Sequence, residues 1–201
     1  AELLRRPPRG PLLVALGFRA LSAPPAAALE AAQRRGELID LPLGSLAPEE
    51  AGQLSEYPEL YRLSGGNPFY LLALADGRTK AIAASVRAEL DALSEPARRL
   101  AFGAAVAGDP AELDVAVAAA VLSDANALAA LDEVVAAGLL RPAGPRRYRF
   151  RRPIVRRAVY GAAGEGWRLA AHERAAALFP DGPAKARHLE QCAKRGDQQA
   201  V

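Results

Sequence analysis

Four consecutive residues, Gly65, Gly66, Asn67 and Pro68, sit inside the stretch RLSGGNPFYLL and have the chemistry of a ligand-facing corner. Pro68 is preset for the first turn of a helix, and Asn67 can cap that turn through its side chain. Gly65 and Gly66 carry no Cβ. They accept positive φ or let another group come close to the backbone, and the N–H groups just beyond them favour an anion or the polar edge of a ligand. The plain alternative is an ordinary loop followed by a capped helix. A second cluster lies further on, where Arg141 to Arg157 holds eight arginines in seventeen residues, a density that suits nucleic acid. The two histidines make no such case. His172 in AAHERAAA and His188 in ARHLEQCA have no serine, cysteine or carboxylate at a spacing that makes a triad or a metal cage, and they read as packing or helix-surface residues. His188 and Cys192 are one helical turn apart, too few ligands for a zinc site.

Composition bounds what can position these groups. At 201 residues and 51% hydrophobic, the chain is long enough for one large or two small domains and too apolar to stay disordered. Alanine and leucine are abundant while aromatic and β-branched residues are sparse, so summed propensity leans to helix. A net charge of +3 implies no nucleic-acid or membrane partner by itself. Cys192 is the only cysteine, which excludes an internal disulfide and fits a reducing cytosol. No apolar run reaches the roughly 20 residues of a spanning helix, and AELLRRPPRG lacks the layout of a secretory signal. The expectation is a cytoplasmic protein without a membrane. No methionine occurs anywhere, even at position 1, as expected of a fragment.

Four segments follow from the patterns. Residues 1–46 read as the end of an α/β domain: a buried strand at Pro11 to Gly17, a helix AAALEAAQRRG ending at Gly36, and a strand at Glu37 to Leu41, whose remaining sheet partners lie elsewhere. Residues 47–108 read as a helical bundle in which Ile82, Val86, Leu90 and Leu93 form one apolar stripe and Ser94 caps a helix reaching Ala107. Residues 109–162 carry two alanine-rich helices, Ala111 to Val121 and Ala125 to Ala137. A hairpin follows, with Leu139 and Leu140 in one arm and Arg147 to Arg151 alternating in the other; helix, helix, hairpin is a winged helix. Residues 163–201 read as two further helices packed like the start of a repeat array. The fold class is thus mainly α with a small α/β part.

In this order the segments resemble the second half of the nucleotide-binding region of large ATP-binding LuxR-family transcriptional regulators, STAND-type relatives of AAA+ ATPases. LLVALGFRAL, LPLGSLAPEEAGQL, RLSGGNPFYLLALA, ALAALDEVVAAGLLRP and RYRFRRPIVRRAVY carry the resemblance, which covers nearly the whole chain. It implies a bacterial signal-transduction switch that responds to ATP and ADP. Arg19 would sense the γ-phosphate side, Gly65, Gly66, Asn67 and Pro68 would lie against adenine and ribose, and Arg152 would reach the phosphates where the family commonly has a histidine. Arginine is permanently charged, so this position loses the histidine's ability to titrate near neutral pH. The Gly-rich phosphate loop and the acidic strand end that holds Mg²⁺ are absent from the sequence, so hydrolysis by this chain alone is not expected. The partners implied are nucleotide, the remainder of the same chain, DNA through a helix-turn-helix beyond Val201, and further copies in an oligomer.

Two other classes compete: a winged-helix DNA-binding module and a protein-interaction scaffold with a degenerate nucleotide site. Against the first, ALAALDEVVAAG would be the recognition helix, and it presents Asp132 and Glu133 with no basic or amide side chain to read a groove or neutralise a phosphate.

Overall fold

The computed structural model describes residues 26–54 and 57–192, together with Leu13, Ala15 and Gly17. The chain divides into two compact units between Gly44 and Ser45. In the first, helix α1 (Ala26–Arg34) buries Leu29 and Ala32. The strand expected at Pro11 to Gly17 lies mostly outside the described residues, and Leu13, Ala15 and Gly17 carry no regular secondary structure. The strand expected at Glu37 to Leu41 is not formed: residues 37–47 have no regular secondary structure, and Ile39 and Leu41 are 85% and 75% exposed. A strand is defined by the partner that takes its backbone hydrogen bonds, and among the described residues none pairs with this segment.

The second unit is helical around a small sheet. Three short helices, α2 (Pro48–Gly52), α3 (Pro58–Ser64) and α4 (Pro68–Ala75), each begin with proline at the first position, where the missing N–H is no loss. Helix α5 (Thr79–Asp91) turns the expected stripe inward, with Ile82, Val86 and Leu90 at 1% exposure or less. Helix α6 (Glu95–Ala107) starts at Ser94, whose hydroxyl accepts from the Ala97 N–H at 3.4 Å. It runs through the core on alanine and glycine: Ala97, Ala101, Ala104 and Ala105 are fully buried. A Cβ on Gly103 would run into the backbone carbonyl of Ala116, so the close approach of the facing helix requires glycine there.

That facing helix is α7 (Leu113–Ala120), followed by α8 (Asp124–Ala136). Gly138, at φ +68°, ends the second of them: the Leu139 N–H reaches back to the Val134 carbonyl at 3.2 Å and the chain enters the hairpin. Strand β2 (Leu140–Pro142) pairs antiparallel with β3 (Arg147–Phe150), Leu140 opposite Phe150 and Arg141 opposite Arg149. A third strand was not foreseen. Ala111 and Glu112, expected to open the first alanine-rich helix, form β1 (Ala111–Glu112) on the far side of β3, with Glu112 opposite Arg147, giving the order β1, β3, β2. Across the pair Arg147 Nη2 donates to the Glu112 carboxylate at 2.9 Å, an exposed contact that adds to the backbone pairing.

Helix α9 (Pro153–Ala162) leaves the sheet and packs Ile154, Val155 and Val159 into the main core beside Phe150 and Leu139. Helices α10 (Glu165–Ala176) and α11 (Pro183–Cys192) close the described chain. Helix α10 joins α6 and α7 in a smaller apolar cluster of Val106, Val115, Ala119, Ala171 and Ala175, and α11 packs against α10. Among the described residues no single helix is long and apolar enough to cross a membrane.

Candidate functional site

The Gly-Gly-Asn-Pro corner joins α3 to α4 and folds as its residue types dictate. Gly65 and Gly66 take φ +56° and +74°, conformations that cost a residue with a Cβ about 1–2 kcal/mol. The Gly65 N–H closes α3 on Tyr61 O at 2.7 Å, and the Asn67 N–H bonds to Ser64 O at 3.2 Å. Asn67 is the N-cap: its Oδ1 accepts from the Tyr70 N–H at 3.0 Å. The N–H groups of Asn67, Tyr70 and Leu71 are therefore consumed inside the corner and are not offered to an anion. What the corner presents outward is the ring of Pro68 and, beside it, Phe69, which is 48% exposed.

Both glycines also meet other chain segments. The Leu46 N–H donates to Gly66 O at 2.8 Å, and the Tyr61 hydroxyl donates to Leu46 O at 3.2 Å, pinning the segment before α2 against the corner. A Cβ on Gly66 would stand 2.5 Å from Leu46 O. A Cβ on Gly65 would overlap Arg152 Cδ and stand 2.8 Å from its Nε. The structure thus brings together Gly65 and Arg152, 87 positions apart in the chain.

Arg152 is the residue before α9, held extended at φ −150° by the proline that follows. Its side chain is half-buried. Nη1 donates to Arg151 O at 2.9 Å, Nη2 donates to the Ser45 hydroxyl, and Nε is buried without a hydrogen-bond partner. Its neighbour Arg151 turns the other way. Both terminal nitrogens grip the Glu89 carboxylate, at 2.6 and 2.8 Å, and Nη2 also donates to the Tyr70 hydroxyl at 2.9 Å. Burial works against this charge, but the hydrogen bonds to Glu89 and Tyr70 outweigh it and hold the Arg151 pKa above the ordinary arginine value. The two arginines therefore fasten the start of α9 to α4, α5 and the corner at once. Ser45, Tyr70, Glu89 and Arg151 were not singled out from the sequence. The one signal pointing to them was the doubled arginine before a helix-starting proline.

Most of the remaining arginine cluster is occupied within the fold. Arg146 pairs with Asp114, Arg147 with Glu112 at 2.9 Å, and Arg149 with Asp109 at 3.0 Å; Arg156 donates to Ala105 O at 2.8 Å. The hydrogen bond from Arg146 holds the Asp114 carboxyl below its usual range. Helix α8 includes Asn126, exposed on its first turn, so an amide is present where the sequence reading excluded one. Its charged residues are nevertheless all acidic, Asp124, Asp132 and Glu133. Glu133 is taken up in structure, accepting from the Ser94 N–H at 2.7 Å and the Ser94 hydroxyl at 2.5 Å, bonds that lower its pKa.

Arg19 lies outside the described residues. Among the described residues no group of three or more His, Cys, Asp or Glu side chains is arranged to hold a metal ion. The chain matches no family model, no curated protein and no solved structure.

Proposed function

We propose that this chain is part of an ATP- and ADP-responsive conformational switch, from a LuxR-family type of transcriptional regulator, in which the Gly65–Pro68 corner and Arg152 form one side of the nucleotide site. The observation that carries the reading is the convergence of Arg152 on Gly65, with the outward face of Pro68 and Phe69 next to it. A flat, apolar base finds a matching surface on an exposed proline and an aromatic ring. A phosphate finds a permanently charged guanidinium whose Nη2 is bonded only to the Ser45 hydroxyl, a partner that an anion can replace. In this reading residues 1–46 belong to the α/β nucleotide domain, 47–108 to a helical lid and 109–162 to a winged helix, and 163–201 begin a helical repeat region. Arg19 would face the γ-phosphate, and the phosphate loop and the Mg²⁺-holding acid would come from the rest of the protein.

The winged-helix DNA module is the weaker reading. Six of the eight clustered arginines are bonded inside the fold, and α8 carries acids at each of its charged positions. Neutralising a phosphate backbone requires the reverse on both counts. Calorimetric titration of the longer protein, phosphate loop included, with ATP, ADP and a DNA duplex in parallel tests the choice. Nucleotide binding by that protein with no duplex binding by residues 1–201 supports the switch. Tight duplex binding by residues 1–201 at physiological salt, abolished by substitutions in α8, overturns it.

A further inference from the structure

A chain of three polar side chains, two of them buried and one half-buried, ties the last two described helices to α9. The Tyr160 hydroxyl lies 3.0 Å from His172 Nε2, and His172 Nδ1 lies 2.9 Å from His188 Nδ1. Both imidazoles are buried, at 6% and 5% exposure, and Phe179 stacks on the His188 ring at 5.7 Å. The rest of the seam is apolar, with Val106, Val115 and Ala119 of α6 and α7 against Ala171 and Ala175 of α10.

The hydrogen-bond chain has two consistent neutral forms, each with a single proton at the contact between the histidines: either the phenol donates to Nε2 and His172 Nδ1–H donates to His188 Nδ1, or His188 Nδ1–H donates to His172 Nδ1 and His172 Nε2–H donates to the phenol oxygen. One added proton places a charge in the seam, and a second sets N–H against N–H at the shared contact. The charges that act on the pair are all positive: Arg156 of α9, Arg168 of α10 and Arg187 of α11. Arg99 of α6 and Arg174 of α10 bond to the Val121 and Ala119 carbonyls at the end of α7, and α7 offers only apolar side chains to the seam. The carboxylates nearest in sequence, Glu173 and Glu190, are exposed. Among the described residues no carboxylate lies on the seam to stabilise an imidazolium.

We propose that the Tyr160, His172 and His188 chain is an acid-labile latch: protonation of the histidine pair undocks α10 and α11 from α6, α7 and α9 while the other helices stay folded. Burial first, then the charges of His188, Arg156 and Arg168, bring the His172 pKa from 6.5 down to about 4, and burial with Arg187 lowers that of His188. The latch is therefore closed at neutral pH and opens on acidification below the ordinary histidine range.

Trp167, the only tryptophan, reports on the seam directly, because its ring meets Phe102 of α6 edge-on at 5.5 Å. The test follows Trp167 emission and amide hydrogen exchange of the whole chain from pH 8 to about 3.5. The latch predicts a red shift with its midpoint between the ordinary histidine value of about 6.5 and the lowered one, with protection lost in 165–192 and kept in 79–107. His188→Phe, which cannot take the proton, should move that midpoint down by at least one pH unit. If the variant does not fold, imidazole NMR titration of the wild type stands in, and both rings must titrate together with the emission change. Emission that stays flat to pH 4, histidines that titrate near 6.5 without any emission change, or simultaneous loss of protection in 79–107 would each overturn the proposal.

Discussion

Arg152 lies across Gly65 so closely that a methyl group on the glycine would overlap the arginine Cδ, and this one contact joins the turn between α3 and α4 to the start of α9. Gly66 has a harder neighbour, the Leu46 carbonyl, which is backbone and cannot swing away as an arginine can. Gly65→Ala should therefore cost about 1–2 kcal/mol, mostly from positive φ, while Gly66→Ala should cost about 2–4 kcal/mol from strain and overlap together. Urea unfolding of the two variants checks the order. Equal losses would show that the clash at Leu46 relaxes freely.

The Arg151 and Glu89 pair is about one-fifth exposed on each side and shares Tyr70. Removing either partner leaves a half-buried charge, so Arg151→Ala or Glu89→Ala should cost about 2–4 kcal/mol, and Tyr70→Phe about 1 kcal/mol. A double-mutant cycle on Arg151 and Glu89 should return a coupling of about 1.5–3 kcal/mol. By contrast Arg146→Ala, which removes a pair more than three-fifths exposed, should leave the urea midpoint nearly unchanged.

Much of this arrangement was legible in the sequence because it is local. The stripe of Ile82, Val86 and Leu90, the Ser94 and Asn67 caps, and the ends at Gly36 and Gly138 follow from rules spanning a few residues, and each is where the pattern put it. The misses are non-local. Glu37 to Leu41 has the composition of a strand, but a strand is made by its partner. Ala111 and Glu112 have the composition of a helix start, but the free edge of the strand at Tyr148 and Arg147 takes up their backbone. The corner and Arg152 were each readable as chemistry, while their meeting, and the roles of Ser45 and Arg151 in it, depend on how α9 packs against α3 and α5.

Stability should depend on pH through the histidine seam. His172 has its folded-state pKa lowered to about 4 from the ordinary 6.5, so the stabilising difference is fully present above pH 6.5 and is lost as the pH falls toward 4, where the unfolded chain holds a proton that the folded chain does not. The loss over that window should be on the order of 3 kcal/mol. Unfolding free energies measured at pH 7.5 and 4.5 should differ in this direction for the wild type, and by clearly less for His172→Gln.

Gly103→Ala should be disproportionately costly for one methyl group, because the Cβ meets the Ala116 carbonyl across the α6 and α7 contact. A loss of about 1–3 kcal/mol is expected, against no loss or a gain of up to about 1 kcal/mol for the same change at the open helical position Gly161. Thermal melts of both variants decide it.

The most direct test of the nucleotide reading is titration of Pro68→Ala and Arg152→Ala, each in the longer protein with its phosphate loop, with ATP and with ADP. Pro68 would contact the base that both nucleotides share, so its loss should weaken both to the same extent. Arg152 would face the phosphates, where they differ, so its loss should change the ratio of the two affinities, a charged hydrogen bond contributing about 1.5–3 kcal/mol. Affinities for both nucleotides that stay unchanged in both variants would contradict the account and leave the corner as a helix start and Arg152 as a packing residue.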